Sequence, residues 1–431
     1  MTNKSVTIVG GGLAGTEAAL FLARRGVKVK LYEAKPLWRS AAHKSDGLAE
    51  LVCSNSLKSD LDTTASGALK NELRIFGSRL IPIADGCRVP AGGALAVDRD
   101  AFSAAVTAEV KQEKNIEVIS RVVDKLDFGG IVIVCAGPVC HDALAAELMR
   151  ISGESSLSFY DAAAPIITAE CIDTDRAFFG ARYGKGGDDY LNCPMTKDEY
   201  LAFYDALVHA ERAVDEIGGV FEGCMPVEVM AARGEDALRY GPLRPVGFRD
   251  AGKPYAVLQL RRENTESTLY NLVGFQTNLR FGEQKRVFSM IPALKNIEIV
   301  RYGVMHRNTF LNAPKTLGAD LRLKAAPDIF VAGQLCGVEG YVESMATGLI
   351  AAAEAHRLLN GKDTSVPPPE TIVGALLGYI SAENENFQPM NANFGILPPI
   401  GGKKADRKRA YYDRSAAAAA KWAETTLDGG A

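Results

Sequence analysis

Several things are scarce in this 431-residue chain, and each scarcity excludes something. It has five histidines, none at metal-ligand spacing, so no metal site is expected. Its eight cysteines (Cys53, Cys87, Cys135, Cys140, Cys171, Cys193, Cys224, Cys336) form no CxxC pair or finger spacing, which argues against disulfides and structural zinc. No apolar run approaches the ~20 residues of a membrane span. The N-terminus has no signal-peptide layout, so a cytoplasmic protein without membrane contact is the expectation. Net charge is only −3, so any nucleic-acid contact must use a local basic patch rather than a global field. What remains, 47% hydrophobic and 23% charged residues, is ordinary globular composition in a chain long enough for two or three lobes.

The N-terminus is informative. Ser5 to Val9 reads as a buried strand, followed at once by Gly10-Gly11-Gly12-Leu13-Ala14-Gly15, which satisfies GxGxxG. An Ala- and Leu-rich helix from Thr16 to Arg25 stops at Gly26, and a second strand, Val27 to Tyr32, ends in Glu33. Gly10 permits the tight turn, Gly12 lets backbone approach a pyrophosphate, and Gly15 permits close helix–strand packing. The helix N-terminus offers free N–H groups to phosphate, and Glu33 can accept from ribose hydroxyls. A lone GxGxxG is weak; these pieces in register are strong.

The rest of the chain separates FAD from NAD. Asp98-Arg99-Asp100 opens a helix to about Lys111, followed by strands near Ile116 to Ile119 and Ile131 to Cys135, the latter running into Ala136-Gly137. Far downstream, Asp328 to Gly333 reads as strand then glycine turn before a small-residue helix from about Gly340 to Leu359. That pairing is the pattern of two-part flavoprotein folds. The expected fold is α/β, a Rossmann-like FAD-binding domain of the glutathione-reductase type with an inserted α/β subdomain. Residues 1–184 and 301–431, the latter with C-terminal helices, form the FAD-binding domain; 185–300 form the insertion. Cofactor contacts are expected from Gly10, Gly11, Gly12, Leu13, Ala14, Gly15, Glu33, Val123, Gly137, Gly333 and Gly348.

Two cysteines keep unusual company. Cys53 lies in Leu51-Val52-Cys53-Ser54-Asn55-Ser56-Leu57, between an apolar run and a polar turn, whereas Cys135 and Cys140 read as core. Cys224 follows Gly223 and precedes Pro226, which can start a helix, a setting that lowers a thiol pKa. Either is a candidate nucleophile. His306 reads as a hydrogen-bonded loop residue, Arg99 as a support of the fold, and Lys285 with Arg286 as a solvated face. Asn391 and Asn393 sit in a polar loop that can line a pocket. Arg233, Arg239, Arg244, Arg249, Arg261 and Arg262 make the insertion basic, and Lys403 to Arg409 form a basic cluster just before a C-terminal helix. Both can meet RNA phosphates.

At these residues the chain resembles the TrmFO family of folate- and FAD-dependent tRNA (uracil-C5)-methyltransferases. The matching stretches include GGGLAGTEAA from Gly10, LVCSNSL from Leu51, FEGCMPVEVMAARG from Phe221, RYGVMHRNTF from Arg301 and GVEGYVESMATGLIAA from Gly337. Small departures are Ser45 and Cys336, each where threonine is usual. The resemblance implies FAD, 5,10-methylenetetrahydrofolate as carbon donor, NADPH or NADH as reductant, and the uridine of the tRNA T-loop as target. It implies catalytic roles for Cys53 and Cys224, with Cys224 favoured to attack uracil C6 and Cys53 to handle protons beside the flavin. Spacing leaves the reverse assignment open. The alternatives are the same chemistry on ribosomal RNA and a generic FAD oxidoreductase acting on a small molecule.

Overall fold

The computed structural model describes residues 4–40, 42–155, 157–184, 186–214, 225–248, 252–403 and 406–427. Within them, β1 (Ser5–Val9) is an inner strand of a six-stranded sheet. It pairs in parallel with β2 (Lys28–Glu33) on one side and with Val132–Val134 on the other. Ile116–Ser120 extends the sheet beyond β2, and Ala326–Val331 extends it beyond Val132–Val134, both in parallel. Arg322–Leu323 closes that second edge antiparallel. Parallel neighbours need crossovers, and α1 (Leu13–Ala23) carries the chain from β1 to β2. Every residue of α1 is buried, because the long helix Tyr341–Leu359 packs across it.

Close packing explains two glycines, Gly348 at that crossing and Gly15 where α1 meets the end of β1. A Cβ on Gly348 would lie 2.2 Å from the Ala14 carbonyl oxygen, and one on Gly15 would lie 1.8 Å from that of Gly10. Backbone meets backbone here, so a side chain has nowhere to go.

A second sheet, antiparallel throughout, takes its strands in the order Phe178–Phe179, Tyr190–Met195, Ala256–Arg262, Leu269–Leu272, Ile166–Thr168, Ile299–Arg301. Helices Lys197–Val208 and Phe281–Phe288 contribute to its separate core, where Phe203, Phe275 and Phe288 are fully buried. The boundary expected at 184/185 falls inside this sheet, since Ile166–Thr168 and Phe178–Phe179 pair into it. Short strands do not announce their partners, so hydrophobic pattern alone sets that edge too late.

Between the two sheets runs a two-stranded ribbon, Leu157–Ala162 against Met305–Phe310. Its register sets Asp161 directly opposite His306. Such cross-strand partners share one face with Cβ atoms roughly 5 Å apart.

At the far end, the buried Glu72 holds three helices together. Its carboxylate accepts from the amides of Ile372 (2.6 Å) and Val373 (2.9 Å) and from the Ser415 hydroxyl. Burial pushes its pKa from 4.5 up to about 7, with the three donors opposing the shift. Its stabilising share is therefore complete below pH 4.5 and is lost as pH rises through about 7. Glu72→Ala strands these donors, at about 1–3 kcal/mol for each one left unpaired. We expect a clearly lower urea midpoint; an unchanged midpoint would show that Glu72 holds nothing together.

Candidate active site

A cavity of about 340 Å³ opens at the carboxyl ends of the parallel strands, where ligands of such sheets bind. Gly10 to Ala14 line it, together with Glu33, Val123, Gly137 and Gly333. Gly10 has φ +104°, and a Cβ there would meet the Cys135 carbonyl oxygen at 2.4 Å. Gly12 is different: a Cβ would meet nothing within 4 Å, so bare backbone faces open space. It caps α1 without a side-chain hydrogen bond, leaving the first-turn amides to a ligand. Gly15 and Gly348 do not line the cavity; Gly348 serves the helix crossing, and Gly15 the close approach of α1 to Gly10 and Cys135.

Glu33 is already partly engaged. Its Oε2 accepts from the Gly11 amide at 2.7 Å and its Oε1 from the Lys35 amide at 3.0 Å. The carboxylate thus fixes the glycine loop from the end of β2, and its remaining lone pairs suit ribose hydroxyls. Open amides, a cradle that side chains would fill and an acid at the end of β2 fit the pyrophosphate and ribose of FAD. Glu33→Ala should raise the FAD dissociation constant about 10- to 100-fold, the worth of a charged hydrogen bond. Fluorescence titration measures this, and wild-type affinity in the variant would exclude the role.

Cys53 lines the same cavity, on a segment clamped from several sides. Its amide and that of Ser54 donate to the Tyr341 hydroxyl at 2.7 and 3.1 Å. Arg99, paired with Glu263 at 2.7 Å, donates to the Leu51 carbonyl at 2.7 Å, so it supports the fold as expected. Arg301 donates to the Val52 carbonyl at 2.7 Å, and Arg261 to the Asn55 side chain at 2.8 Å.

The thiol meets the ribbon. Cys53 Sγ lies 3.5 Å from Asp161 Oδ2 and 3.9 Å from His306 Nε2, and those two atoms are 3.7 Å apart. Burial first, and then the Asp161 charge, push the Cys53 thiol well above its ordinary value. Burial also lowers His306, which is therefore neutral near pH 7. Nearby Glu339 accepts from Gln334 Nε2 at 2.6 Å and is pushed up to about 8, mainly by burial and next by Asp161. Donor atoms of Cys53, Asp161 and His306 all lie within 4.8 Å of one another, close enough to share a small cation as well as protons. The sequence expectation of no metal cluster rested on linear spacing, which cannot register three separate segments converging.

Sequence reasoning places His306 in a loop; it is in a strand, half-buried, and part of the cavity wall. Asp161 and Tyr341 were missed altogether. Tyr341 lies inside a stretch that carries the family resemblance, which was a usable signal; Asp161 had none.

Cys224 lies outside the described residues, as do Arg249 and Lys404. The chain just beyond Cys224 is anchored. Pro226 precedes the short helix Val227–Ala231, the Val227 amide donates to the Gln276 carbonyl at 2.7 Å, and Glu228 Oε2 accepts from Thr277 Oγ1 at 2.9 Å. The Thr277 amide in turn donates to the Ala163 carbonyl at 3.3 Å, two residues beyond Asp161.

The basic residues divide. Arg261 is buried against Ser54 and Asn55 and is withdrawn from any phosphate. Arg239 lies over the Tyr255 ring at 3.7 Å. Arg407, Lys408 and Arg409 open the helix Arg407–Thr426 rather than preceding it, and Arg409 bridges Asp62 and Asp413. Arg286 pairs with Glu283, as a solvated face would.

Comparison with known proteins gives a consistent picture. The model of the family described as glucose inhibited division protein A matches residues 5–363. A methylenetetrahydrofolate–tRNA-(uracil-5-)-methyltransferase TrmFO from Desulforudis audaxviator is 53% identical over 97% of this chain and 98% of its own length. The protein of that name from Geobacter sulfurreducens is 52% identical over 98% and 99%. Among solved structures, Aquifex aeolicus GidA superposes with a TM-score of 0.73 over 99% of this chain and 74% of its own, at 15% identity. That last likeness speaks to the fold alone.

Proposed function

The chain belongs to the TrmFO family, and on that premise we propose that it methylates C5 of a uridine in tRNA. 5,10-Methylenetetrahydrofolate provides the carbon, and FAD, when bound and reduced, supplies the hydride that completes the methyl group. NADPH or NADH is the reductant we assign to the flavin. The observation that carries this reading is that Cys53 and the Gly10–Ala14 loop line one cavity.

Uracil C5 is a poor nucleophile until a thiolate adds to C6 and pushes electron density onto C5. We assign that attack to Cys224, whose segment is tied through Val227 and Thr277 to the ribbon bearing Asp161. Cys53 suits proton handling better than attack, because its surroundings keep it a thiol. A uridine within folded RNA must be turned out of its stack to reach such a site.

The test is transfer of labelled carbon from methylenetetrahydrofolate, with NADPH present, to undermodified tRNA and to ribosomal RNA in parallel. Labelled 5-methyluridine in tRNA is the expected result. Label in ribosomal RNA alone overturns the choice of substrate. NADPH consumption without label in either RNA would point to an oxidoreductase for small molecules.

A further inference from the structure

Methylation at C5 requires that the C5 proton leave, and resting on the function just proposed, the structure assigns its final acceptor. We propose that Asp161 receives this proton through Cys53: Sγ takes the proton from C5 while its own proton passes to Asp161 Oδ2. The C5–H and S–H bonds break, and new S–H and O–H bonds form. The electron pair left on C5 forms the double bond to the folate-derived methylene and expels the N5 nitrogen of tetrahydrofolate, which leaves with a proton from solvent. The thiolate leaves C6 later, when hydride reaches that methylene and C5=C6 re-forms. Charge is conserved, the carboxylate taking up the C5 proton and the departing nitrogen a solvent proton, and no reactant is needed beyond the folate and the reduced flavin already assigned.

The placement of Asp161 carries the proposal. Its Oδ2 lies 3.5 Å from Sγ, with Asn308 Nδ2 donating to the same oxygen at 3.4 Å. The residue is 3% exposed and lines the cavity, yet its Oδ1 has no hydrogen-bond partner among the described residues. The same holds for Nδ1 of its cross-strand partner His306. A buried carboxylate oxygen without a donor is costly unless the site uses it. No arginine or lysine is paired with Asp161 among the described residues; its neighbour His306, at 3.7 Å, is neutral near pH 7. A carboxylate that lacks a fixed cation remains available to a proton.

The groups that face the thiol among the described residues are Asp161 and His306 from the ribbon, Arg99 from the helix Arg99–Gln112, Arg301 from the strand Ile299–Arg301, Tyr341 at the start of the long helix and Glu339 just before it. Removing the Asp161 charge should lower the Cys53 pKa, since that charge adds to the upward push of burial.

The experiment compares FAD-loaded wild type, Asp161→Asn and Asp161→Glu. It reads tritium release from tRNA carrying 5-tritiated uridine, and the pH midpoint of Cys53 alkylation by iodoacetamide. Expected for Asp161→Asn are a loss of at least 100-fold in tritium release and a lower alkylation midpoint. Asp161→Glu should recover part of the release. Asp161→Asn with release within twofold of wild type, or with an unmoved midpoint, overturns the proposal. A wild-type midpoint at or below that of a free thiol, about 8.5, overturns it too, whether or not the variants fold. Absence of release from wild type itself would instead refute the methyltransferase reading.

Discussion

Cys53→Ala should reduce methyl transfer to tRNA by about 10²–10⁴-fold, the usual worth of a positioned proton-transfer group, while FAD stays bound. The two halves of that expectation come from different residues. FAD contacts are assigned to the Gly10–Ala14 loop, Glu33 and the Gly137 and Gly333 turns, none of which touches the thiol through a hydrogen bond. The segment carrying Cys53 is fixed through its backbone by Tyr341, Arg99 and Arg301, so loss of Sγ leaves the chain path in place. Cys224→Ala should be at least as severe, because it removes the thiolate assigned to open the reaction. The two variants separate in RNA handling: Cys53→Ala should still form a covalent adduct with substrate RNA, retained on a denaturing gel, and Cys224→Ala should form none. Full methylation by both variants would refute the thiol mechanism.

Gly348→Val should yield protein that neither holds FAD nor resists heating as wild type does. Its Cβ would lie 2.2 Å from the Ala14 carbonyl oxygen and 2.7 Å from the Ala14 Cα. Relief requires α1 or the long helix to move, and overpacking of this kind costs about 1–3 kcal/mol. Ala14 belongs to the cofactor loop, so the movement reaches the binding site as well as the core. We expect at least a tenfold weaker FAD affinity, with a lower melting temperature in the FAD-free protein. Gly378→Ala is the control: nothing lies within 4 Å of that Cβ, the residue sits within the helix Ile372–Ser381, and the change should leave FAD affinity alone. It should add a few tenths to 1 kcal/mol of stability by restricting the unfolded chain. Equal FAD affinity in Gly348→Val and wild type would mean that the crossing does not shape the site.

How much of this could be read beforehand depended on whether the signal was local. The strand–glycine–helix–strand unit ending at Glu33 was legible because each part is contiguous and has its own physical task. The distant strand and turn ending at Gly333 were legible for the same reason, and Asp98 does cap the helix that it precedes, accepting from the Asp100 and Ala101 amides. Gly15 permits the close helix–strand packing read from the sequence, its Cβ position lying against Gly10 and Cys135, whereas Gly348, read as a cofactor contact, permits contact between two helices. The partnership of Asp161 and His306 was not legible. It depends on ribbon register between segments 145 positions apart, and neither strand shows a pattern that fixes its partner. Cys53 drew attention through its neighbours in sequence, yet its chemistry is set by two residues from that ribbon. The early edge of the second sheet was hidden for a like reason, since Ile166–Thr168 and Phe178–Phe179 are too short to carry a period.

The central claim is that flavin and Cys53 share one cavity, and alkylation of Cys53 followed by mass spectrometry tests it most directly. With FAD titrated to one equivalent per chain, labelling of Cys53 by iodoacetamide should slow at least tenfold relative to the FAD-free protein, while an exposed reference side chain reacts unchanged. Equal labelling with FAD demonstrably bound would place the flavin elsewhere, and a failure to bind FAD at all would contradict the claim outright.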